Sequence, residues 1–192
     1  MSPRPKKLPT VLTTQEAQEL LKQPNRKCPT GLRNYLIMLV MYRAGLRVSE
    51  ALNLESKDIN WQTGDLKVVD GKGGKDRVVP LETYVLDALA KWKEQRHRGA
   101  KFFTTLKGDE LNDRYVRNYV KRYAVKAGIL KDVHPHTLRH TYATEMLEKG
   151  FTIRELQELL GHLDIQTTMI YTHVNPVALR HKIQQSTWQL EE

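Results

Sequence analysis

Residues Leu32 to Tyr42 read Leu-Arg-Asn-Tyr-Leu-Ile-Met-Leu-Val-Met-Tyr, apolar on nearly every side of a helical wheel. A helix of that kind must be surrounded by protein to be stable in water. Its longest apolar run, Tyr35 to Tyr42, is far short of the roughly 20 residues needed to cross a bilayer, so it predicts a buried central helix and no membrane span. Gly45 ends that helix, and a second restarts at about Arg47 with Val48, Ala51 and Leu52 on its inner side. Arg47 is thereby set at a helix start beside the core. The chain has 192 residues, within the usual span of about 100–200 for one domain.

The remaining segments must supply the cover for this helix. Thr13-x-x-Glu16 is a capping box ahead of Ala17, Leu20 and Leu21, predicting a short amphipathic helix that stops near Pro24. The pattern then changes. Asp58 to Trp61, Leu66 to Val69 and Arg77 to Pro80 read as three short strands, joined by a Gln-Thr-Gly-Asp turn and a glycine-rich loop over 70–76. Helical spacing returns with Val85, Leu89 and Trp92, with Val116, Tyr119, Val120 and Tyr123, and from His136 to Lys149, closed by Gly150. Thr152-x-x-Glu155 caps another helix up to Leu160; a short one over Thr167 to Tyr171 and a polar one from Val177 complete the chain. The expected fold is therefore mainly α with a small antiparallel β-sheet. Residues 1–10, with three prolines and three basic side chains, read as a linker ahead of a domain over 11–192.

Charge narrows the partner. Thirty-one Lys and Arg against 22 Asp and Glu leave a net charge of +9, an excess that favours a polyanion such as nucleic acid over a generic basic surface. The single cysteine, Cys28, cannot form an internal disulfide, and the opening Met-Ser-Pro-Arg-Pro-Lys-Lys lacks a signal peptide's apolar stretch. The expectation is an intracellular, cytoplasmic protein.

Several polar residues stand where chemistry is possible. Arg47 directly follows the most apolar helix, and His136 and Arg139 share a helical face at i, i+3. Two arginines from distant segments can clamp one phosphodiester and stabilise the added charge of its pentacoordinate transition state, because the guanidinium fork matches non-bridging oxygens. Equally, each can pair with a carboxylate, such as Glu50 for Arg47. His134, His136 and His140 cluster, yet no carboxylate or cysteine stands at a spacing that completes a zinc site, so no metal is expected. Gly71-Lys72-Gly73-Gly74-Lys75-Asp76-Arg77 puts three cations on a turn suited to a phosphate backbone, but also to a solvated hairpin tip. It is not a nucleotide-binding P-loop, since no Gly-Lys-Ser/Thr opens a helix there. Tyr171 is a poor nucleophile at neutral pH unless cations surround it, its phenol having a pKa of about 10.

In order along the chain, Ala44-Gly-Leu-Arg47-Val-Ser-Glu50, Gly71-Lys72-Gly-Gly-Lys75-Asp-Arg77-Val-Val-Pro80, His134-Pro-His136-Thr-Leu-Arg139-His140, Leu159-Leu-Gly-His162 and Thr167-Thr-Met-Ile-Tyr171 resemble the catalytic domain of the tyrosine recombinases, the phage integrase and Xer-like family. The resemblance implies the DNA breaking-rejoining fold of that family and cleavage of double-stranded DNA through a 3′-phosphotyrosine intermediate, with neither metal nor ATP as cofactor. It implies Tyr171 as nucleophile, Arg47 and Arg139 as the phosphate clamp and His162 as a hydrogen-bond donor to the phosphate. It further implies His136 in proton transfer from the tyrosine and Lys72 as the acid for the 5′-oxygen. Glu50 is supporting, and Lys75 and Arg77 are phosphate or base contacts. Family members usually carry a helical DNA-binding domain ahead of the catalytic one, and the expectation here is the catalytic domain without it. The segment 177–190 is expected to be exchanged between protomers of a tetramer on DNA. Relaxation of type IB topoisomerase kind and a catalytically silent DNA-binding remnant are the rival readings.

Overall fold

The structure is a computed structural model and describes residues 9–69, 76–96 and 99–161. Helices α1 (Thr14–Lys22), α2 (Pro29–Arg43) and α3 (Val48–Asn53) precede strands β1 (Asp65–Val68) and β2 (Arg77–Pro80), and helices α4 (Thr83–Gln95), α5 (Asp113–Lys126), α6 (Pro135–Glu148) and α7 (Ile153–Leu160) follow. The mainly helical architecture with one small antiparallel sheet is the one the sequence predicts.

The all-round apolar helix is central. α2 buries every residue from Leu36 to Tyr42 and packs against α1, α3, α4, α5 and α6. Trp92, Phe102, Phe103 and Tyr119 fill the space around it, each at most 2% exposed. At these positions truncation to alanine removes about 3–5 kcal/mol. A smaller cluster, Tyr142, Ala143, Met146, Leu147, Leu156 and Leu160, joins α6 to α7. A buried arginine network at one end of α2 and a partly exposed one at the other pin the helix. Arg33 donates to the Thr104 carbonyl (2.9 Å) and the Tyr115 hydroxyl (2.8 Å), while Arg43 pairs with Glu145 at 3.3 Å.

Local sequence sets the helix ends. Thr13 and Glu16 cap α1 reciprocally, with Glu16 N–H donating to Thr13 Oγ1 at 3.1 Å and Thr13 N–H to Glu16 Oε2 at 2.7 Å. Thr152 and Glu155 repeat the arrangement on α7. Gly45, between α2 and α3, has φ +63°, and a Cβ there would lie 2.5 Å from the Tyr142 ring. Only glycine fits that close crossing without strain.

Among the described residues the sheet has two strands, not three. β1 and β2 pair antiparallel with Leu66 opposite Val79 and Val68 opposite Arg77. The segment 58–61, expected as a strand, instead follows a 3-10 turn at Ser56–Asp58 and contributes one bridge, Ile59 to Leu66. Asn60 is the reason: its side-chain oxygen accepts from Gln62 N–H (3.0 Å) and Thr63 N–H (3.2 Å), folding the chain back before a ladder can extend. The predicted helices over Thr167–Tyr171 and from Val177 lie outside the described residues, as does most of the 1–10 linker.

Candidate active site

The site begins with a carboxylate. Glu50 is the third residue of α3, 8% exposed, and its Oε2 accepts the Arg47 backbone N–H at 2.7 Å, capping the helix. The same carboxylate meets three guanidiniums. Arg47 Nη1 lies 2.6 Å from Oε1, Arg77 Nη1 and Nη2 lie 2.9 and 2.8 Å from Oε1 and Oε2, and Arg139 Nη1 lies 3.6 Å from Oε2. Burial on its own would raise the Glu50 pKa. The Arg77 hydrogen bond and charge, the Arg47 N–H and the Arg139 charge outweigh burial and hold it at about 2. Glu50 is thus ionised at every physiological pH.

Each arginine arrives from a different element. Arg47 is the N-cap of α3, extended at φ −69° and ψ 155° immediately after the Gly45 turn. Its side chain is 31% exposed, whereas those of Arg77 and Arg139 are 6% and 4% exposed. Arg47 therefore forms the solvent-facing edge of a buried cationic cluster. Arg139, on α6, donates to the Gly45 carbonyl and, at 2.6 Å, to the Leu160 carbonyl. It ties the α2–α3 turn to the C-terminal end of α7, where helix carbonyls lack intrahelical donors. The pairing of Arg47 with Glu50 that the sequence allows is present, and it leaves Arg47 at the rim of the cluster.

His136 lies one turn before Arg139 on α6, on an exposed position. Partial desolvation of its ring by the surrounding protein, then the charges of His134, Arg139 and Arg117, hold its pKa below the ordinary histidine value, so the neutral imidazole can accept a proton near pH 7. His140 is further depressed, to about 4, by burial first and then by His136, His134 and Arg139. The three rings follow each other at 6.1 and 6.3 Å between centroids. Among the described residues no group of three His, Cys, Asp or Glu side chains is arranged to hold a metal ion.

Arg47 and Glu50, at the start of α3, and Arg139, on α6, thus meet in one cluster, with His136 one turn from Arg139. The sequence sets Arg77 among the loop cations as a phosphate or base contact; in the structure its side chain points inward, pairs with Glu50, and donates from Nε to the Leu159 carbonyl at 2.8 Å. Strand alternation carries the missed signal, since Arg77 and Val79 share one face of β2 and Val79 is core. Lys72, Lys75, His162 and Tyr171 lie outside the described residues.

Residues 10–177 match the phage integrase family. The chain belongs to that family. Among curated relatives, the tyrosine recombinase XerA of Thermococcus kodakarensis is 43% identical over 180 residues, which cover 92% of this chain and 62% of the relative. Among solved structures, a XerA recombinase superposes with a TM-score of 0.82 at 33% identity, covering 96% of this chain and 68% of that one. The XerH site-specific recombinase bound to its palindromic difH substrate, in a post-cleavage complex, gives 0.78 at 30% identity over 95% of this chain and 54% of that one. This integrase-family chain spans about 62% of the length of the Thermococcus relative. No helix among its described residues is long and apolar enough to cross a membrane.

Proposed function

We propose that this chain is the catalytic domain of a site-specific tyrosine recombinase, acting on double-stranded DNA in the cytoplasm. The observation that carries the reading is the convergence of Arg47, Arg77 and Arg139 on the single Glu50 carboxylate, with His136 one turn from Arg139. Three positive groups around one negative group, open to solvent at Arg47, make a preorganised setting for a phosphodiester whose charge grows in the transition state. The XerH relative in complex with its DNA substrate supports the same partner.

In this reading the phenol of Tyr171 loses its proton toward His136 and attacks the phosphorus. Arg47, Arg139 and His162 stabilise the pentacoordinate oxyanion. The 5′-oxygen leaves with a proton from Lys72, and the phosphodiester becomes a 3′-phosphotyrosine of similar energy. Attack by the 5′-hydroxyl of another strand reverses the step and exchanges partners. One ester is broken and one formed each time, so the step balances without ATP or a metal. Lys75 contacts DNA, at a phosphate or a base, from the same glycine-rich segment as Lys72, and Glu50 keeps the arginines in place. Residues 177–190 pass between protomers of a tetramer assembled on DNA. The test is covalent capture: nicked DNA incubated with the chain in EDTA yields a protein–DNA adduct, and Tyr171→Phe yields none. Absence of an adduct despite salt-sensitive DNA binding contradicts the enzymatic reading.

A further inference from the structure

Arg77 opens β2, immediately after the segment that carries Lys72, and its side chain is 6% exposed. Its contacts reach the two other elements of the cluster. The paired Nη1 and Nη2 bonds to Glu50, 2.9 and 2.8 Å, fix the plane of a carboxylate that also takes Arg47 N–H at 2.7 Å and Arg47 Nη1 at 2.6 Å. Arg77 Nε donates to the Leu159 carbonyl at 2.8 Å, and the next carbonyl, Leu160, is held by Arg139 at 2.6 Å. Two guanidiniums therefore cap successive carbonyls at the end of α7. Gly161 closes on the same group at φ +65°, where a Cβ would stand 2.9 Å from Arg77 Nη1.

We propose that Arg77 is a positioning residue, a buried strut that fixes the Glu50 carboxylate and the end of α7 and thereby aims Arg47 and Arg139, without touching DNA. The proposal rests on the recombinase reading of the site. Its physical basis is geometric: a carboxylate gripped by one arginine can turn about its own bond, whereas a planar fork on both oxygens sets its plane. Displacements of about 1 Å at a reacting centre cost up to about a hundredfold in rate. Lysine keeps the charge against Glu50 but holds one oxygen and cannot also bond Leu159, so Arg77→Lys separates geometry from charge.

The full chain and its Arg77→Lys variant are compared in three measurements. The first is affinity for a fluorescent duplex of random sequence over a salt series, where the variant is expected to match wild type within about twofold and with the same slope, since a lost phosphate contact would lower the slope by about one. The second is single-turnover cleavage, at saturating protein, of a nicked duplex that wild type cleaves. Here the variant is expected to be slower by about tenfold or more. The third, without DNA, is the Nε–H resonances of Arg47 and Arg139 in 15N-labelled protein, which are expected to move while the far-ultraviolet spectrum is unchanged.

A reduced slope with an unchanged saturated rate makes Arg77 a DNA contact and overturns the proposal. An unchanged rate with unmoved resonances also overturns it. If wild type itself forms no adduct with any nicked duplex, the recombinase reading fails, and the resonances alone then decide whether Arg77 holds the other two arginines. Should Arg77→Lys not fold, Arg77→Gln, which keeps the Glu50 carboxylate and can still donate one hydrogen bond to it, is read in the same three ways.

Discussion

Arg77 and Glu50 face each other fork to fork, with Nη1 and Nη2 at 2.9 and 2.8 Å from Oε1 and Oε2 and both side chains no more than 6% exposed. Around that pair Arg47 and Arg139 complete a cluster in which one anion organises three cations. Removing the anion leaves like charges buried together, the situation in which breaking a buried ion pair is most costly. Glu50→Gln is therefore expected to lose about 3–5 kcal/mol of stability, read as a lower urea midpoint with an unchanged slope. A loss below about 1 kcal/mol, the range of exposed ion pairs, would contradict the burial argument.

Acid acts first on His140, with the lowered His136 beside it, and then on Glu50. His140, at about 4 in the fold against an ordinary 6.5, binds its proton more readily in the unfolded chain, so its contribution is complete above pH 6.5 and is lost as pH falls toward 4. Glu50, at about 2 against 4.5, contributes fully above pH 4.5 and loses that contribution between 4.5 and 2, on the order of 3 kcal/mol by linkage. Urea unfolding as a function of pH is expected to show both steps, and His140→Gln to flatten only the one between 6.5 and 4. A variant curve parallel to wild type there would remove His140 from the account.

Two glycines are expected to be irreplaceable for different reasons. Gly161→Ala requires a Cβ 2.9 Å from Arg77 Nη1 at φ +65°, and Gly45→Ala one 2.5 Å from the Tyr142 ring at φ +63°. Left-handed backbone alone costs an alanine about 1–2 kcal/mol. Because ring atoms of a buried tyrosine yield less than a guanidinium, Gly45→Ala is expected to lower the melting temperature more. Equal melting temperatures for both variants and wild type would show that neither close approach matters.

Lys72 is expected to act on the leaving group. Lys72→Ala should lose cleavage on an ordinary phosphodiester and recover it on a 5′-bridging phosphorothiolate, whose sulfur leaves without a proton. Equal loss on both substrates takes the acid role away from Lys72.

DNA affinity is expected to fall steeply with salt, by about a thousandfold between 50 and 200 mM if six phosphates are contacted, because each bound cation releases a condensed counterion. A flat profile in a filter-binding or anisotropy series would contradict the basic-face reading of the +9 charge.

What could be read from the sequence was what depends on near neighbours. The all-round apolar stretch announced α2 as central, the Thr13/Glu16 and Thr152/Glu155 pairs marked helix starts, and i, i+3 spacing put His136 and Arg139 on one face. Asn60 misled because a single side-chain turn, invisible to alternation, stopped a strand. Arg77 groups in sequence with its cationic loop neighbours, while the strand pattern turns its side chain inward onto Glu50. That Arg139 holds Gly45 and Leu160, 94 and 21 positions away, follows from how α6 crosses the α2–α3 turn and α7, which no local spacing encodes. Of the six residues expected to do the chemistry, Arg47, His136 and Arg139 are described, and the meeting of Arg47 and Arg139 on Glu50, with His136 one turn from Arg139, is what the phosphate reading rests on.

The central claim is that Tyr171 attacks DNA within an arginine-rich site. Nicked suicide duplexes from the DNA of the source organism, incubated with the chain in EDTA and denatured in SDS, test it most directly. The account predicts a covalent protein–DNA band with wild type, a free 5′-hydroxyl on the released strand, and no band with Tyr171→Phe. A band that persists in Tyr171→Phe, or a 5′-phosphate on the released strand, would contradict it.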